Sequence, residues 1–147
     1  MSDVVSKWGR EVAERGFVQI PNYLLNVNRF LDSEHRLTPV EILVLFQLVG
    51  NWWKKDENPY PSISTISVRC GVSSRQAQRA INNLDKMEFI KRIKRKNKGM
   101  VQSNEYDLTP LVGILVEISK IFPNEYPRKV TKEHRQLISQ KLKPLIS

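Results

Sequence analysis

The stretch from Pro61 to Met87, PSISTISVRCGVSSRQAQRAINNLDKM, constrains the fold of this chain more than any other. Ser62 opens a first short helix with Ile63, Ile66 and Cys70 on one side. Gly71 permits a turn, Val72 plugs the core, and Ser73 with Gln76 spells an S-x-x-Q capping box. A second helix of about Ser74 to Met87 comes next. Advancing about 100° per residue from Arg75, Ala77, Ala80, Ile81, Leu84 and Met87 gather on one side of it. Arg75, Arg79, Asn82 and Lys86 gather on the other, flanked by Gln76, Gln78 and Asn83. The apolar side is a core stripe. The polar side has Asp85 as its only negative charge, whereas a face meant only for water more often mixes Glu and Lys at four-residue spacing.

Two helices around a tight turn, with Arg, Gln and Asn on the second, read as a helix-turn-helix whose recognition helix makes two-pronged contacts to base edges. The expected base-reading set is Arg75, Gln76, Arg79, Asn82 and Asn83. The alternative is a helical hairpin whose polar face meets only water. The charge distribution favours the first. Of the net +9, residues 1–61 carry 7 basic and 8 acidic groups, residues 62–108 carry 10 and 4, and residues 109–147 carry 7 and 3. The excess begins with the helix pair, and a polyanionic partner is the simplest reason for it.

The residues just after the helix pair strengthen the first reading. Phe89–Arg95 and Met100–Leu108 read as two strands around Lys96-Asn97-Lys98-Gly99, a hairpin with its turn glycine. Lys91, Arg92, Lys94, Arg95, Lys96 and Lys98 place six positive charges in eight residues. A solvated edge guarded by lysines is the plainer explanation, but two arginines and no acidic residue suit it poorly. A basic hairpin directly after a recognition helix is a wing, and its charges are expected on phosphates. Ser62, Ser64, Thr65, Ser73, Ser74 and Lys86 complete the expected phosphate-contacting set.

The remaining elements supply the core. Ser2–Arg15 forms an amphipathic arm with Val4, Trp8 and Val12 at four-residue spacing, and Gly16–Asn22 is extended, because Pro21 biases Ile20 away from helix. Tyr23–Arg36 gives a helical turn and a loop. Thr38-Pro39-Val40-Glu41 starts a helix that is apolar nearly all round to Trp53, the expected buried central helix. Thr109-Pro110 caps a further apolar helix, Leu111–Phe122, and Thr131 begins a last basic one bearing Leu137, Ile138 and Leu142. The expected class is α+β, mostly α, a winged helix-turn-helix with extra C-terminal helices. Its divisions are an arm at 1–16, a DNA-binding domain at 17–108 and a helical extension at 109–147. In Leu111–Phe122 the Leu111/Leu115/Ile118 stripe closes the core while Val112 and Val116 face elsewhere, which predicts a homodimer through those valines.

From Gly16 to Leu108 the chain also resembles the origin-binding domains of phage replication proteins of the lambda O type. The resemblance rests on Gly16-Phe-Val-Gln-Ile-Pro-Asn22, Thr38-Pro-x-Glu41, Trp53-Lys-Lys-Asp56 and Gly71-Val-Ser73 with Arg79 and Leu84, in that order. Plasmid replication initiators look similar. The resemblance implies binding to repeated duplex sites at an origin, in a bacterial cytoplasm on nucleoid or plasmid, with replication proteins as further partners. Such initiators usually carry a helicase-recruiting region, for which the residues after Pro123 are too few. The chain is therefore expected to be a DNA-binding fragment or a small regulator, including a transcriptional one.

Other classes find little support. No G-x-x-x-x-G-K-[ST] or G-x-G-x-x-G loop is present, and His35 and His134 lack metal-spaced partners, so neither catalysis, metal nor cofactor is expected. Cys70, the single cysteine, reads as a small core residue in a reducing cytoplasm. No apolar run approaches the ~20 residues of a membrane span. A winged helix serving as a protein-interaction module would show apolar anchors on its surface helix. RNA single-strand readers usually expose stacking aromatics, and the three Trp residues lie outside the helix and hairpin.

Overall fold

A computed structural model of the chain describes residues 3–97, 99–101 and 103–126. The expected helix from Thr131, with Leu137, Ile138 and Leu142, lies outside the described residues, as do His134 and Lys98.

The arm is two helices rather than one, α1 (Asp3–Trp8) and α2 (Arg10–Glu14). The break is at Gly9, whose φ of 88° lies where few side chains are tolerated. Neither helix buries a residue, and Trp8 and Val12 are exposed while Val4 is half-buried, so the expected stripe adds nothing to the buried core among the described residues.

The segment read as a turn and a loop contributes more core than its pattern suggests. A single turn α3 (Asn22–Leu25) and 3-10 turns at Val27–Arg29 and Ser33–His35 bury Leu24, Val27, Phe30 and Leu31. Phe30 also sits in an aromatic cluster with Tyr23, Phe122 and Tyr126, and the Tyr23 hydroxyl donates to the Phe122 carbonyl. These contacts bring the end of the chain's last described helix back onto its beginning.

Helix α4 (Pro39–Gly50) starts as expected, on a complete Thr38/Glu41 capping box with Pro39 in the first turn. It stops at Asn51, short of Trp53, and Trp53 is exposed. Val44, Leu45 and Leu48 are buried, but Leu43 is exposed, so the helix is central without being enclosed on every side.

Helix α5 (Ile63–Cys70) is capped by the Ser62 hydroxyl, which accepts from the Thr65 N–H. It ends at Gly71 in the left-handed region, φ 68°. Helix α6 (Ser74–Lys86) then begins on the predicted Ser73/Gln76 capping box. It buries Ala77, Ala80, Ile81 and Leu84 against α4 and α5.

Each wing strand is interrupted. β1 (Lys91–Ile93) pairs antiparallel with β4 (Glu105–Asp107), with Arg92 opposite Tyr106. Further out, β2 (Lys96–Asn97) pairs with β3 (Met100–Val101). The inner half is anchored by buried Phe89, Ile90 and Tyr106, and the Tyr106 N–H donates to the Pro59 carbonyl at 2.9 Å.

Helix α7 (Thr109–Ile121) closes the core with Leu111, Ile114 and Ile118. Leu115 is only partly buried, so Ile114 takes its expected place in the stripe. Thr109 is the first helical residue rather than the cap. Its N–H is taken by Asp107 Oδ1 at 2.9 Å. A bond to the Thr109 side chain, and then this backbone bond, hold the Asp107 carboxyl below its ordinary range. Three helices and then an antiparallel hairpin make this an α+β winged helix-turn-helix, mostly helical, with α7 added.

Candidate nucleic-acid interface

The candidate surface is the outer side of α6 with the adjoining wing. Burial of Ala77, Ala80, Ile81 and Leu84 fixes the rotation of α6, and the opposite residues are thereby turned to solvent. Arg75, Arg79, Asn82 and Lys86 are all exposed. No ion pair engages Arg75, Arg79 or Lys86 among the described residues. No large apolar side chain of α6 is exposed, so the helix offers none of the anchors that a protein-docking face would present.

Two members of the expected base-reading set are used differently. Glu41 is buried, 4% exposed, at the start of α4. Its Oε1 accepts from the Thr38 N–H at 2.9 Å, and its Oε2 accepts from Asn83 Nδ2 at 3.0 Å. Asn83, half-buried, thus links α6 to α4 through one of its amide donors. Gln76 is exposed, but its Oε1 accepts from the Ser73 N–H at 3.0 Å. The capping box claims half of the amide on which two-pronged recognition depends.

Asn82 is engaged but not withdrawn. Its Oδ1 accepts from Gln78 Nε2 at 3.0 Å, one helical turn back, and from Arg92 Nη1 on the wing. Gln78 is only a flank in the sequence pattern, although its four-residue spacing to Asn82 is the signal that links them.

The expected phosphate contacts also divide. Arg92 is paired with Asp85 on α6: Nη2 lies 3.6 Å from Asp85 Oδ2, and its backbone N–H donates to Asp85 Oδ1 at 3.1 Å. Arg95 stacks over the Tyr60 ring at 4.1 Å and lies 3.9 Å from Glu105. Both arginines thus have partners within the chain and remain part-exposed on the wing. Lys91 and Lys94 are exposed on the wing. Lys96 lies on β2, and Lys98 is outside the described residues. Ser62 and Ser73 are helix caps whose hydroxyls accept backbone N–H groups, while Ser64 and Ser74 are exposed and Thr65 is half-buried beside Ser62.

Away from this face, Val112 and Val116 are 40% and 44% exposed on α7. They line an apolar groove of about 280 Å³ with Pro21, Val49, Trp52 and Leu115. Cys70 is a free thiol, half-buried, and desolvation pushes its pKa up, which suits a packing role. Among the described residues, no cluster of three or more His, Cys, Asp or Glu could hold a metal ion. Nor is any described helix long and apolar enough to cross a membrane.

The fold and this face define a helix-turn-helix domain with a wing. Residues 35–90, from the turn before α4 to the residue preceding β1, match the family model described as a helix-turn-helix domain. That domain type points to DNA as the partner. A search of curated proteins found no match to the chain.

Proposed function

We propose that the protein binds duplex DNA in a sequence-specific manner, with α6 in the major groove and the wing on the flanking backbone. The observation that carries this reading is the exposed Arg75, Arg79, Asn82 and Lys86 face, held outward by the buried stripe behind it. Arg75 and Arg79 read bases, Asn82 assists them, and Lys86, Lys91, Lys94, Lys96 and Lys98 meet phosphates together with Ser64, Thr65 and Ser74. The positive half of the chain supplies non-specific affinity.

The biological setting we favour is initiation of phage or plasmid replication, on the strength of the motifs from Gly16 to Leu84. Control of transcription would use the same interface. A two-fold dimer through Val112 and Val116 would match a palindromic site. A wild type that sediments as a monomer at tens of micromolar rules that dimer out.

The test of function is selection of bound sequences from a random duplex pool by the full chain. Enrichment of one motif is expected, and its place in the source genome separates an origin from a promoter. A pool that stays unenriched after repeated rounds overturns the reading.

A further inference from the structure

Carboxamides are ambiguous readers, because a half-turn exchanges donor for acceptor and changes the base preferred. On α6 that ambiguity is removed by a wing residue. Arg92 has only donors, so the Asn82 atom facing it must be oxygen. The same oxygen accepts from Gln78, so the Gln78 group facing it must be the NH2. The remaining ends are then set: Asn82 offers its Nδ2 donor and Gln78 its Oε1 acceptor. No hydrogen bond engages either of these atoms within the described residues.

We infer that Arg92 is a positioning residue for specificity: it locks the amide polarity of Asn82 and Gln78, and thereby sets which base edges the pair accepts. The inference rests on the duplex-binding reading above. Asn82 then favours a base presenting an acceptor, G, T or the N7 of A, and Gln78 one presenting an amino group, C or A. Arg92 is well placed for this use. Its backbone N–H and its guanidinium are both tied to Asp85, so the wing strand holds the side chain against α6 without any nucleic acid present. Without Arg92 the two amides could turn over together, keeping their mutual bond while exchanging donor for acceptor outward.

The test compares the sequences selected from a random duplex pool by wild type, Arg92→Ala, Arg92→Lys, Asp85→Asn and Asn82→Asp, each checked by thermal melting. Arg92→Ala is expected to lower discrimination about five-fold at one or two adjacent positions and to leave the rest of the motif intact. Arg92→Lys, which keeps a donor-only group, restores the preference in part. Asp85→Asn removes the ion pair but not the amide polarity, and keeps the wild-type motif. Asn82→Asp still accepts from Arg92 and Gln78 but now presents an acceptor outward, so its position moves away from G and T towards C or A. Uniform loss across the motif for Arg92→Ala, or a G or T preference kept by Asn82→Asp, overturns the inference while leaving duplex binding in place. A wild type that selects no motif overturns both, and the two failures are thereby told apart.

Discussion

Glu41 and Asn83 make the clamp between α4 and α6 open to a quantitative test. Replacing Glu41 by Ala removes the acceptor for the Thr38 N–H and leaves the Asn83 amide without its partner. Loss of the reciprocal half of a capping box costs about 1 kcal/mol. An amide donor stranded in a part-buried site costs about 1–3 kcal/mol more. The expected destabilisation is therefore about 2–4 kcal/mol, or a fall in Tm of order 10 °C for a chain of this size. Glu41→Gln should cost only about 1 kcal/mol, because its carboxamide oxygen can still accept one of the two bonds. Asn83→Ala should cost about 1.5–3 kcal/mol, since it strands a carboxylate oxygen on a residue that is 4% exposed. Urea unfolding of the full chain measures each value. The double variant should cost less than the sum of the two single variants, because each of those strands the other's partner. Asn83→Ala should leave the selected DNA motif unchanged, as its side chain faces α4. A cost below about 0.5 kcal/mol for Glu41→Ala would refute the clamp, and a changed motif for Asn83→Ala would return that residue to the bases.

Three smaller perturbations test the frame around the interface. Gly71→Ala forces a side chain into φ 68° between the paired helices and should cost about 1 kcal/mol or more, read by thermal melting. Glu88 holds φ 62° at the exit of α6, so Glu88→Gly should stabilise by up to about 1 kcal/mol in the same assay. Asp107 has its pKa lowered by bonds to Thr109, so its contribution is present above the unfolded value of about 3.8 and is lost as pH falls through the lower folded value. Unfolding from pH 6 to pH 2 should show a component of acid sensitivity that Asp107→Ala abolishes.

The parts legible in the sequence are those specified by neighbouring residues. Ser73 with Gln76 and Thr38 with Glu41 mark helix starts because both halves of a capping box lie within one turn. Gly71 marks the turn because its backbone requires the left-handed region. The alternation of Ala77, Ala80, Ile81 and Leu84 with Arg75, Arg79 and Asn82 sets which side of α6 faces out, and the structure keeps that division. The features that local pattern misses depend on pairs distant in sequence. The bond from Asn83 to Glu41 joins residues 42 apart, and no local pattern signals it. Arg92 reads as one more wing charge until β1 sets it against Asp85 and Asn82. Leu24, Val27, Phe30 and Leu31 have helix-like i, i+3, i+7 spacing but are buried from a single helical turn and a 3-10 turn, too short for a clear period. Helix α7 starts two residues before Leu111, because the Thr-Pro pair that looks like a cap is already helical and Asp107 takes the first N–H instead.

The central claim is that α6 reads bases while the wing lysines hold the backbone. Its most direct test is a salt series of binding isotherms on the selected duplex and on a scrambled one, for wild type, Arg79→Ala and Lys91→Ala/Lys94→Ala. Arg79→Ala should lose about 1–3 kcal/mol on the selected duplex and much less on the scrambled one. The lysine pair should weaken both duplexes alike and lower the slope of log affinity against log salt by about one unit per lost phosphate contact. Equal losses on both duplexes for Arg79→Ala would contradict the account, because the helix would then be contributing charge and no sequence recognition.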